Sequence, residues 1–424
     1  MKNLILSNGR VIDPQSGIDA VRDVFVTDGM LAKQAAPGAT RIDCAGKWVV
    51  PGLIDLHAHL REPGEEHKET VRTGLAAAAA GGFTAVVAMP NTQPVCDNVA
   101  VVELVKSRGA AAKSARVYVA GAVSRGSEGR ELAEYGELKS AGVVCLTDDG
   151  RPVVSGGLMR RALEYAGAFG LPVAVHAEDP DIGGGGSMHE GVVSTRLGLR
   201  GRPAAAEAAM VARDLLLAEL TGAHLHVMHV SAAASVRLIR DAKARGVAVT
   251  AEATPHHLTL TDEEIARSSY DTRFKMAPPL RAEADRAALV AGLADGTIDC
   301  IATDHAPHAT VDKEVEFDQA ANGVVGLETA LSVVLALAHR GEVSLVRLIE
   351  SLTAAPARVY ALPGGSLAVG QTADITVIDP KATWSCDPDH FLSRGRFSPF
   401  AGQKLVGRAV LTLVGGVAVH GSIA

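Results

Sequence analysis

Residues 48–61 read WVVPGLIDLHAHLR, an apolar run that ends in two histidines and an arginine. The run is typical of a buried strand. Because side chains alternate across a strand, His57 and His59 should emerge on the same face at its end. Two imidazoles held this close together favour a divalent-metal site, and the planar cation of Arg61 suits a carboxylate. A histidine pair beside an unrelated surface arginine is the alternative interpretation.

The chain after this strand alternates between short apolar runs and amphipathic stretches. This alternation predicts an α/β fold with a parallel sheet and helical crossovers, and eight strands are the number that closes a TIM-like (β/α)8 barrel. An open doubly wound sheet is the alternative, but no GxGxxG follows the first strand. The predicted strands are 48–54, 84–89, 116–122, 143–147, 172–176, 224–230, 247–253 and 298–303, and the predicted helices are 69–80, 98–106, 132–140, 157–169, 204–220, 235–245 and 284–293.

The two ends of the chain differ in composition from the middle. Residues 1–50 and 362–424 are rich in short β runs and turns, and Gly415-Gly416 is a hairpin signal. We therefore predict that both ends pair into one small β domain beside a barrel of residues 51–361. Two separate terminal pieces are the alternative.

Composition limits the class of protein. The 424 residues are 47% hydrophobic and 21% charged, which is typical of a soluble globular enzyme, and the net charge of −7 argues against a nucleic-acid partner. No uninterrupted apolar stretch has the ~18 residues of a membrane span, and the N-terminus does not resemble a secretory signal. The five cysteines are scattered and odd in number, so we expect reduced thiols in a cytoplasmic protein.

Three further candidate ligands lie at the ends of later strands. Asp149 follows the fourth strand, His176 ends the fifth, and Asp304 ends the eighth. Taken alone, an aspartate placed like Asp149 is more often a turn residue, and one placed like Asp304 is a helix cap or a turn residue. Because TIM barrels carry their chemistry at the C-terminal ends of the strands, we expect all three side chains at the barrel mouth.

The sixth strand contains three histidines, and strand alternation separates them. His229 lies nearest the end of the strand and is the predicted ligand. His224 and His226 lie on the opposite face and are predicted to pack under helices. Four imidazoles and two carboxylates at strand ends are typical of a zinc-dependent hydrolytic centre.

Three motifs resemble signatures of the dihydroorotases of the amidohydrolase superfamily. Residues 55–64, DLHAHLREPG, are similar to the family's first signature, and residues 88–92, AMPNT, to its second-strand motif. Residues 302–308, ATDHAPH, with Lys313 five residues further on, are similar to the second signature. The similarity extends over the barrel and both flanks, and it implies a TIM-like barrel with a small β domain built from both termini.

The resemblance implies the reversible interconversion of N-carbamoyl-L-aspartate and L-dihydroorotate in de novo pyrimidine (UMP) biosynthesis, with one or two Zn²⁺ ions per chain. Many relatives bridge two metals with a carboxylated lysine on the fourth strand. No lysine lies between Val143 and Gly150, and the chain resembles the branch in which an aspartate, here Asp149, takes that place. By motif, the other ligands would be His57, His59 and Asp304 for one zinc, and His176 and His229 for a second.

The resemblance also implies catalytic and substrate-binding roles. Asp304 would act first as general base and then as general acid. Ala277 stands where relatives often carry asparagine, and Asn322 stands in place of phenylalanine, so backbone groups would have to contact the substrate ring there. The charged segment 309–322 is either a mobile loop over the site or a solvated excursion. The implied substrate-binding residues are His59, Arg61, Asn91, His308, Asn322 and Gly323.

Two other functions stay open. A hydantoinase or allantoinase would open a neutral ring, whereas Arg61 favours a ring that carries a carboxylate. A non-catalytic subunit that assembles with aspartate carbamoyltransferase is the other alternative, although all six ligand positions are filled. The sequence leaves open whether the chain forms a homo-oligomer or needs that transferase as a partner.

Overall fold

The computed structural model describes residues 3–422. Within residues 3–51, seven short strands precede the barrel. Four of them form a separate sheet of their own, in the order β5-β4-β1-β6. The strands are β1 Leu4–Ser7, β2 Arg10–Asp13, β3 Ile18–Val21, β4 Val24–Thr27, β5 Met30–Ala32, β6 Thr40–Asp43 and β7 Trp48–Pro51.

In the described part of the chain, eight parallel strands form the predicted barrel. Their order in the sheet is their order along the chain, and a bridge between Ala58 and His305 joins the first strand to the end of the last. The barrel strands are β8 Leu53–Ala58, β9 Phe83–Ala88, β10 Arg116–Gly121, β11 Val143–Leu146, β12 Val173–Val175, then, after the short loop pair β13 Met188–His189 and β14 Gly201–Arg202, β15 Leu225–Val227, β16 Val249–Ala253 and β17 Cys300–Ile301. The TIM-like fold is confirmed.

Helices follow most of the barrel strands. None of the helices within residues 3–422 is long and apolar enough to cross a membrane. They are α1 Val71–Ala80, α2 Val99–Ala112, α3 Tyr135–Ser140, α4 Gly156–Ala168, α5 Pro180–Gly183, α6 Val192–Leu197, α7 Ala204–Thr221, α8 Ala233–Ala244, α9 Pro255–Thr259, α10 Glu263–Arg267, α11 Glu283–Asp295, α12 Thr310–Lys313, α13 Ala330–His339, α14 Leu345–Leu352 and α15 Ala354–Val359.

Side-chain caps fix where several helices begin. Thr70 has an extended backbone and its hydroxyl accepts a hydrogen bond from Thr73 N at 3.1 Å, so α1 begins at Val71 and not at the predicted Glu69. Ser155 caps α4 in the same way.

Strands from both ends of the chain meet in one six-stranded sheet. Its order is β20-β19-β18-β7-β2-β3, where β18 is Ile375–Ser385, β19 is Lys404–Val414 and β20 is Val417–Gly421. The predicted hairpin forms at Gly415 and Gly416, whose φ angles of 56° and 72° suit glycine. The division into a domain of 1–50 with 362–424 and a barrel of 51–361 stays a prediction.

The barrel interior is filled by small apolar side chains below the strand ends. One buried cluster takes residues from β8, β9, β10, β11, β12 and β17, such as Ala120, Cys145 and Ala174. Tyr360 and three residues of α15, Ala355, Ala357 and Val359, belong to the same cluster, so this helix packs against the barrel interior. Because the interior is filled, the open space within the barrel lies at its mouth.

Two barrel strands end two or three residues earlier than the sequence predicts. Strand β17 covers only Cys300–Ile301, because the amide of Thr303 donates to the Asp55 carboxylate at 2.8 Å and not to a neighbouring strand. Strand β15 stops at Val227. His229 therefore lies beyond the regular strand, where alternation no longer decides its direction.

Candidate active site

The six predicted metal ligands are buried and lie together at one end of the barrel. Ligand atoms of His57, His59 and Asp304 lie within 4.8 Å of one another, and so do those of His57, Asp149 and His229. His176 joins the second group, since its Nδ1 is 2.9 Å from His229 Nε2. The structure thus brings the six predicted ligands together at the C-terminal ends of five strands.

Asp149 lies between the two groups of histidines. Its Oδ2 is 3.4 Å from His57 Nε2 and 3.3 Å from His59 Nε2. Its Oδ1 is 3.5 Å from His176 Nδ1 and 3.4 Å from His229 Nε2. A turn residue would face solvent, so this placement favours the ligand interpretation over the turn.

The outer nitrogen of three histidines is hydrogen-bonded, which leaves the inner nitrogen for a ligand bond. His57 Nδ1 donates to Glu252 Oε1 at 2.8 Å, and His59 Nδ1 donates to Asn91 Oδ1 at 2.8 Å. His176 Nε2 lies 3.3 Å from the Glu178 carboxylate. Partners of this kind orient metal-binding histidines and fix their tautomer.

The residues present fit a metal ion. His57 Nε2 is buried and has no hydrogen-bond partner among residues 3–422, and a buried polar atom without a partner is costly. An ion between the two carboxylates and the imidazoles would satisfy it. Neutral imidazole and carboxylate donors together suit zinc-type ions.

Charge within the cluster keeps the carboxylates ionised, as ligands must be. Burial alone would raise the pKa of Asp149 and of Asp304, but the facing histidines, His57 foremost, hold both values well below the usual range. Burial would likewise raise the pKa of Glu252, but hydrogen bonds from His226 and His57 lower it to about 2.

Three residues of the site have a left-handed backbone. The φ angles are 59° at Arg61, 31° at His229 and 47° at Asp304. Residues other than glycine seldom adopt this region, and such strain gathers at functional sites. In this site the left-handed backbone occurs at residues that follow the ends of barrel strands and whose side chains line the cavity at the barrel mouth.

The prediction for His226 is wrong. His226 does not pack under a helix: it is buried against Tyr360, which lines the barrel interior, and its Nε2 lies 3.1 Å from Glu252 Oε2. Strand alternation holds up to Val227, which places His226 inside, and the left-handed turn at His229 then brings that residue inside as well. His224 lies 2.8 Å from the Thr250 hydroxyl.

A cavity of about 290 Å³ opens beside the ligands. It is lined by five of the six predicted ligands, all but His57, together with Gly150, Ala277 and Ala306. The structure also brings every predicted substrate-binding residue to this cavity: His59, Arg61, Asn91, His308, Asn322 and Gly323.

Arg61 is a buried cation in the wall of the cavity. Its Nε donates to Pro307 O at 3.2 Å, and its ion pair with Glu65 is 3.8 Å long, too long for a hydrogen bond. His308 Nε2 lies 3.5 Å from Arg61 Nη2 but donates to Asn322 O at 2.8 Å, so it cannot also accept from the guanidinium. The Arg61 fork therefore has donors to spare for an anionic ligand.

Sequence reasoning missed Glu252, which contacts two histidines of the barrel interior. Its Oε1 also lies 3.4 Å from His229 N, so one carboxylate supports residues of β8 and of the segment after β15. A glutamate inside the apolar strand 247–253 was the available signal, since an ionisable side chain is seldom buried without a partner. Its partners could not be predicted, because they are distant in sequence.

Comparisons with known proteins identify the family of this chain. A family model described as dihydro-orotase-like matches residues 46–235. A dihydroorotase of Anaeromyxobacter dehalogenans is 59% identical over 422 residues, 98% of each chain, and one of Pelotomaculum thermopropionicum is 54% identical over 418 residues, 97% of each. The solved L-hydantoinase (dihydropyrimidinase) of Arthrobacter aurescens has a TM-score of 0.88 at 28% identity, over 100% of this chain and 98% of that one. Given identities above half across nearly the whole length, the chain belongs to the dihydroorotase family.

Proposed function

We propose that this protein is a zinc-dependent cyclic amidohydrolase that interconverts N-carbamoyl-L-aspartate and L-dihydroorotate in pyrimidine biosynthesis. One observation carries the proposal: four histidines and two aspartates from five strands converge at the edge of a cavity that also contains a buried arginine. The family's name supports the same reaction.

Zinc is the proposed metal, with one or two ions per chain. The two groups of donors support two positions, one at His57, His59 and Asp304 and one at His176 and His229. Asp149 would contact both, because its oxygens face different histidine pairs. Bound there, zinc would supply Lewis-acid polarisation of the amide carbonyl and activation of water near neutral pH.

Asp304 is the proposed proton carrier. It lines the cavity, and its Oδ1 lies 3.3 Å from His59 Nε2. In the ring-opening direction, its carboxylate accepts a proton from the attacking water and delivers that proton to the leaving ring nitrogen. In the biosynthetic direction, it takes the proton from the ureido nitrogen that attacks the side-chain carboxyl group and delivers it to the carboxyl oxygen that leaves as water.

Arg61 and Asn91 are the proposed ligands of the substrate's α-carboxylate. Arg61 retains free guanidinium donors, which suit a carboxylate through paired hydrogen bonds. The Asn91 oxygen already accepts from His59, so its amide nitrogen is left to donate. His308 completes this side of the cavity.

The ring itself has fewer candidate contacts. Ala277 offers no polar side-chain atom, and the backbone of Gly323 is occupied, since its amide donates to Lys275 O at 3.1 Å and its carbonyl accepts from Lys313. Asn322 O accepts from His308. Asn322 carries the one polar side chain among these three residues, and we assign the ring contact to it.

A hydantoinase is the second candidate, because the similar solved structures bear that name. The distinguishing feature is Arg61: a neutral ring offers its buried cation only carbonyl acceptors, whereas a carboxylate offers a charge-assisted, paired contact. The balance therefore favours a carboxylated ring.

A substrate panel tests the proposal. The zinc-loaded chain is assayed for opening of L-dihydroorotate, hydantoin, dihydrouracil and allantoin, and for closure of N-carbamoyl-L-aspartate. We expect kcat/KM for dihydroorotate to exceed that for each neutral ring by about 100-fold or more, the worth of a charge-assisted pair. A preference for hydantoin or dihydrouracil would instead assign the second candidate function.

Partners and compartment follow from the same proposal. All five cysteines are free and buried, which suits a reducing compartment, and we propose the cytoplasm. The filled ligand set supports activity without a partner. Activity and elution volume of the purified chain, with and without aspartate carbamoyltransferase, would show whether it forms a homo-oligomer or associates with that enzyme.

A further inference from the structure

Lys313 is a fully buried lysine whose ammonium contacts only backbone oxygens. Its Nζ donates to Ala321 O and Gly323 O, both at 2.9 Å, and to Lys275 O at 3.2 Å. In the described part of the chain, the hydrogen-bond partners of this ammonium are backbone carbonyls and no carboxylate. Because an ammonium has three N–H donors, three carbonyls satisfy it completely.

The three carbonyls belong to two segments that form one wall of the substrate cavity. Gly323 and Asn322 line that cavity from one segment, and Ala277 lines it two residues after Lys275 in the other. Gly323 N also donates to Lys275 O, so the segments are hydrogen-bonded directly and through the lysine. We call residues 275–277 with 321–323 the lysine-bound wall.

The charged segment 309–322, which contains Lys313, is anchored to the rest of the protein and is not a simple solvated excursion. Lys313 ends α12, Phe317 packs in a buried cluster with Met188 and Ile265, and the hydroxyl of Thr272 donates to Lys313 O at 2.8 Å. Most of its other side chains are exposed. The lysine is therefore a polar connection between this segment and the cavity wall, beside Lys275, whose Nζ donates to Asp318 O at 2.8 Å.

We infer that Lys313 is a positioning residue for substrate binding: its ammonium holds the lysine-bound wall at the distance that the substrate ring requires. The inference rests on the proposed function for the identity of the substrate. Charge-assisted hydrogen bonds are stronger than neutral ones, so loss of all three would let the wall move while the metal ligands, on other segments, keep their places.

The primary test is the variant Lys313→Met, which keeps the length of the side chain and removes the donors. We expect KM for L-dihydroorotate to rise about 10-fold or more, with kcat within about 3-fold and zinc content unchanged. Lys243→Met is the control, because Lys243 also donates to a backbone carbonyl, that of Gly296, as well as to Asp299, and none of these residues lines the cavity. An unchanged KM, or a fall in kcat alone, would overturn the inference.

Hydrogen exchange gives a readout that does not depend on turnover. Peptides covering 319–325 should exchange faster in Lys313→Met, while peptides of β8 and β15 stay as protected as in the wild type. If the wild type does not act on dihydroorotate, the proposed function fails, and this exchange still decides the role of Lys313. Equal exchange at 319–325 would contradict it.

Two further variants guard against a folding defect. A Cβ at Gly323, where φ is 133°, would lie 3.0 Å from His308 Nε2 and 2.7 Å from Ala306 Cβ, so Gly323→Ala should displace the same wall and raise KM. In the double variant with Lys313→Met, the fold-increase in KM should be smaller than the product of the two single fold-increases. A double-variant increase equal to that product would argue against a shared wall. If Lys313→Met does not fold, Lys313→Arg replaces it: a guanidinium cannot donate three bonds from one atom, so KM should rise, and an unchanged KM overturns the inference.

Discussion

Asp149 faces His229 with one carboxylate oxygen, at 3.4 Å between Oδ1 and Nε2, and turns its other oxygen toward His57. A single short side chain thus contacts both halves of the candidate metal centre. A lysine with an added carboxylate would span the same gap with a longer arm. Because the aspartate side chain is shorter, it can contact both histidine pairs only where the end of β11 lies close to the segment after β15.

Replacing Asp149 should remove metal. The variant Asp149→Ala takes away the only group in the described structure that faces both histidine pairs, so we expect at least one equivalent of zinc fewer per chain and loss of activity. Elemental analysis after gel filtration measures this. The exposed Asp389→Ala is the control, and an unchanged zinc content and rate would rule out Asp149 as a ligand.

Replacing Asp304, the proposed proton carrier, should lower turnover more than binding. Asp304→Asn keeps the shape and one oxygen of the side chain but cannot accept a proton, so kcat should fall by ~10² to 10⁴-fold. KM should change little, and rates should be normalised to bound zinc. A variant with full metal and wild-type kcat would assign the proton transfer to another group.

Arg61 should determine the preference for a carboxylated ring. Arg61→Met removes the cation while keeping an extended apolar stem, so kcat/KM for L-dihydroorotate should fall by about 10- to 100-fold. Activity on hydantoin, however low, should stay within about 3-fold, since that ring has no carboxylate. An equal loss on both rings would indicate a structural role for Arg61.

Glu252 should tune metal affinity without contacting the metal. Its Oε1 accepts from His57 Nδ1 at 2.8 Å, and Glu252→Gln keeps the shape but lowers the basicity of that histidine. Zinc affinity, measured by competition with a chelator, should weaken by ~10- to 100-fold. The exposed Glu219→Gln, on α7, serves as the matched control. Unchanged affinity would limit Glu252 to packing.

Asp214 makes stability depend on pH in a way independent of the site. It is fully buried on α7 with Oδ2 unpartnered in the described structure, and burial raises its pKa to about 6 although Arg213 opposes the shift. A raised pKa in the folded state means stability that is present at low pH and lost as pH rises from ~4 through 6. At pH 7.5 the cost amounts to about 3 kcal/mol at most.

The variant Asp214→Asn cannot ionise and avoids that cost. Its melting temperature should exceed that of the wild type at pH 7.5, and the difference should shrink toward pH 4.5. Asp241→Asn, an exposed carboxylate on α8, should show no such trend. Calorimetric scans at both pH values decide, and a constant difference would exclude titration of Asp214 as the cause.

Local patterns were enough to predict the barrel, the hairpin and the clustering of candidate ligands. Apolar runs such as 143–147 alternate with helices, and parallel strands bring their C-terminal ends together, so Asp149 and Asp304 could be placed at one mouth without knowing their contacts. The prediction depended on the hydrophobic period of each segment and on the order of strands and helices along the chain, both of which can be read from the sequence.

The contacts that complete the site were not predictable in that way. The direction of His229 depends on one left-handed residue after β15, and the partner of His57 is Glu252, 195 residues away. Lys313 was visible only as part of a motif, since its three acceptors come from two distant segments. Side-chain alternation predicts directions only within a strand, so it does not apply to residues beyond the strand end. Contacts between side chains across the barrel depend on how distant segments pack, which the local sequence does not show.

Anomalous diffraction from crystals of the zinc-loaded chain, recorded at the zinc absorption edge, tests the central claim most directly. We predict a peak within ~2.0–2.2 Å of His57 Nε2 and His59 Nε2, and a second peak, where occupied, near His176 Nδ1 and His229 Nε2, with Asp149 between them. Zinc bound elsewhere in the chain, with no peak within ligand distance of these four histidines, would contradict the account.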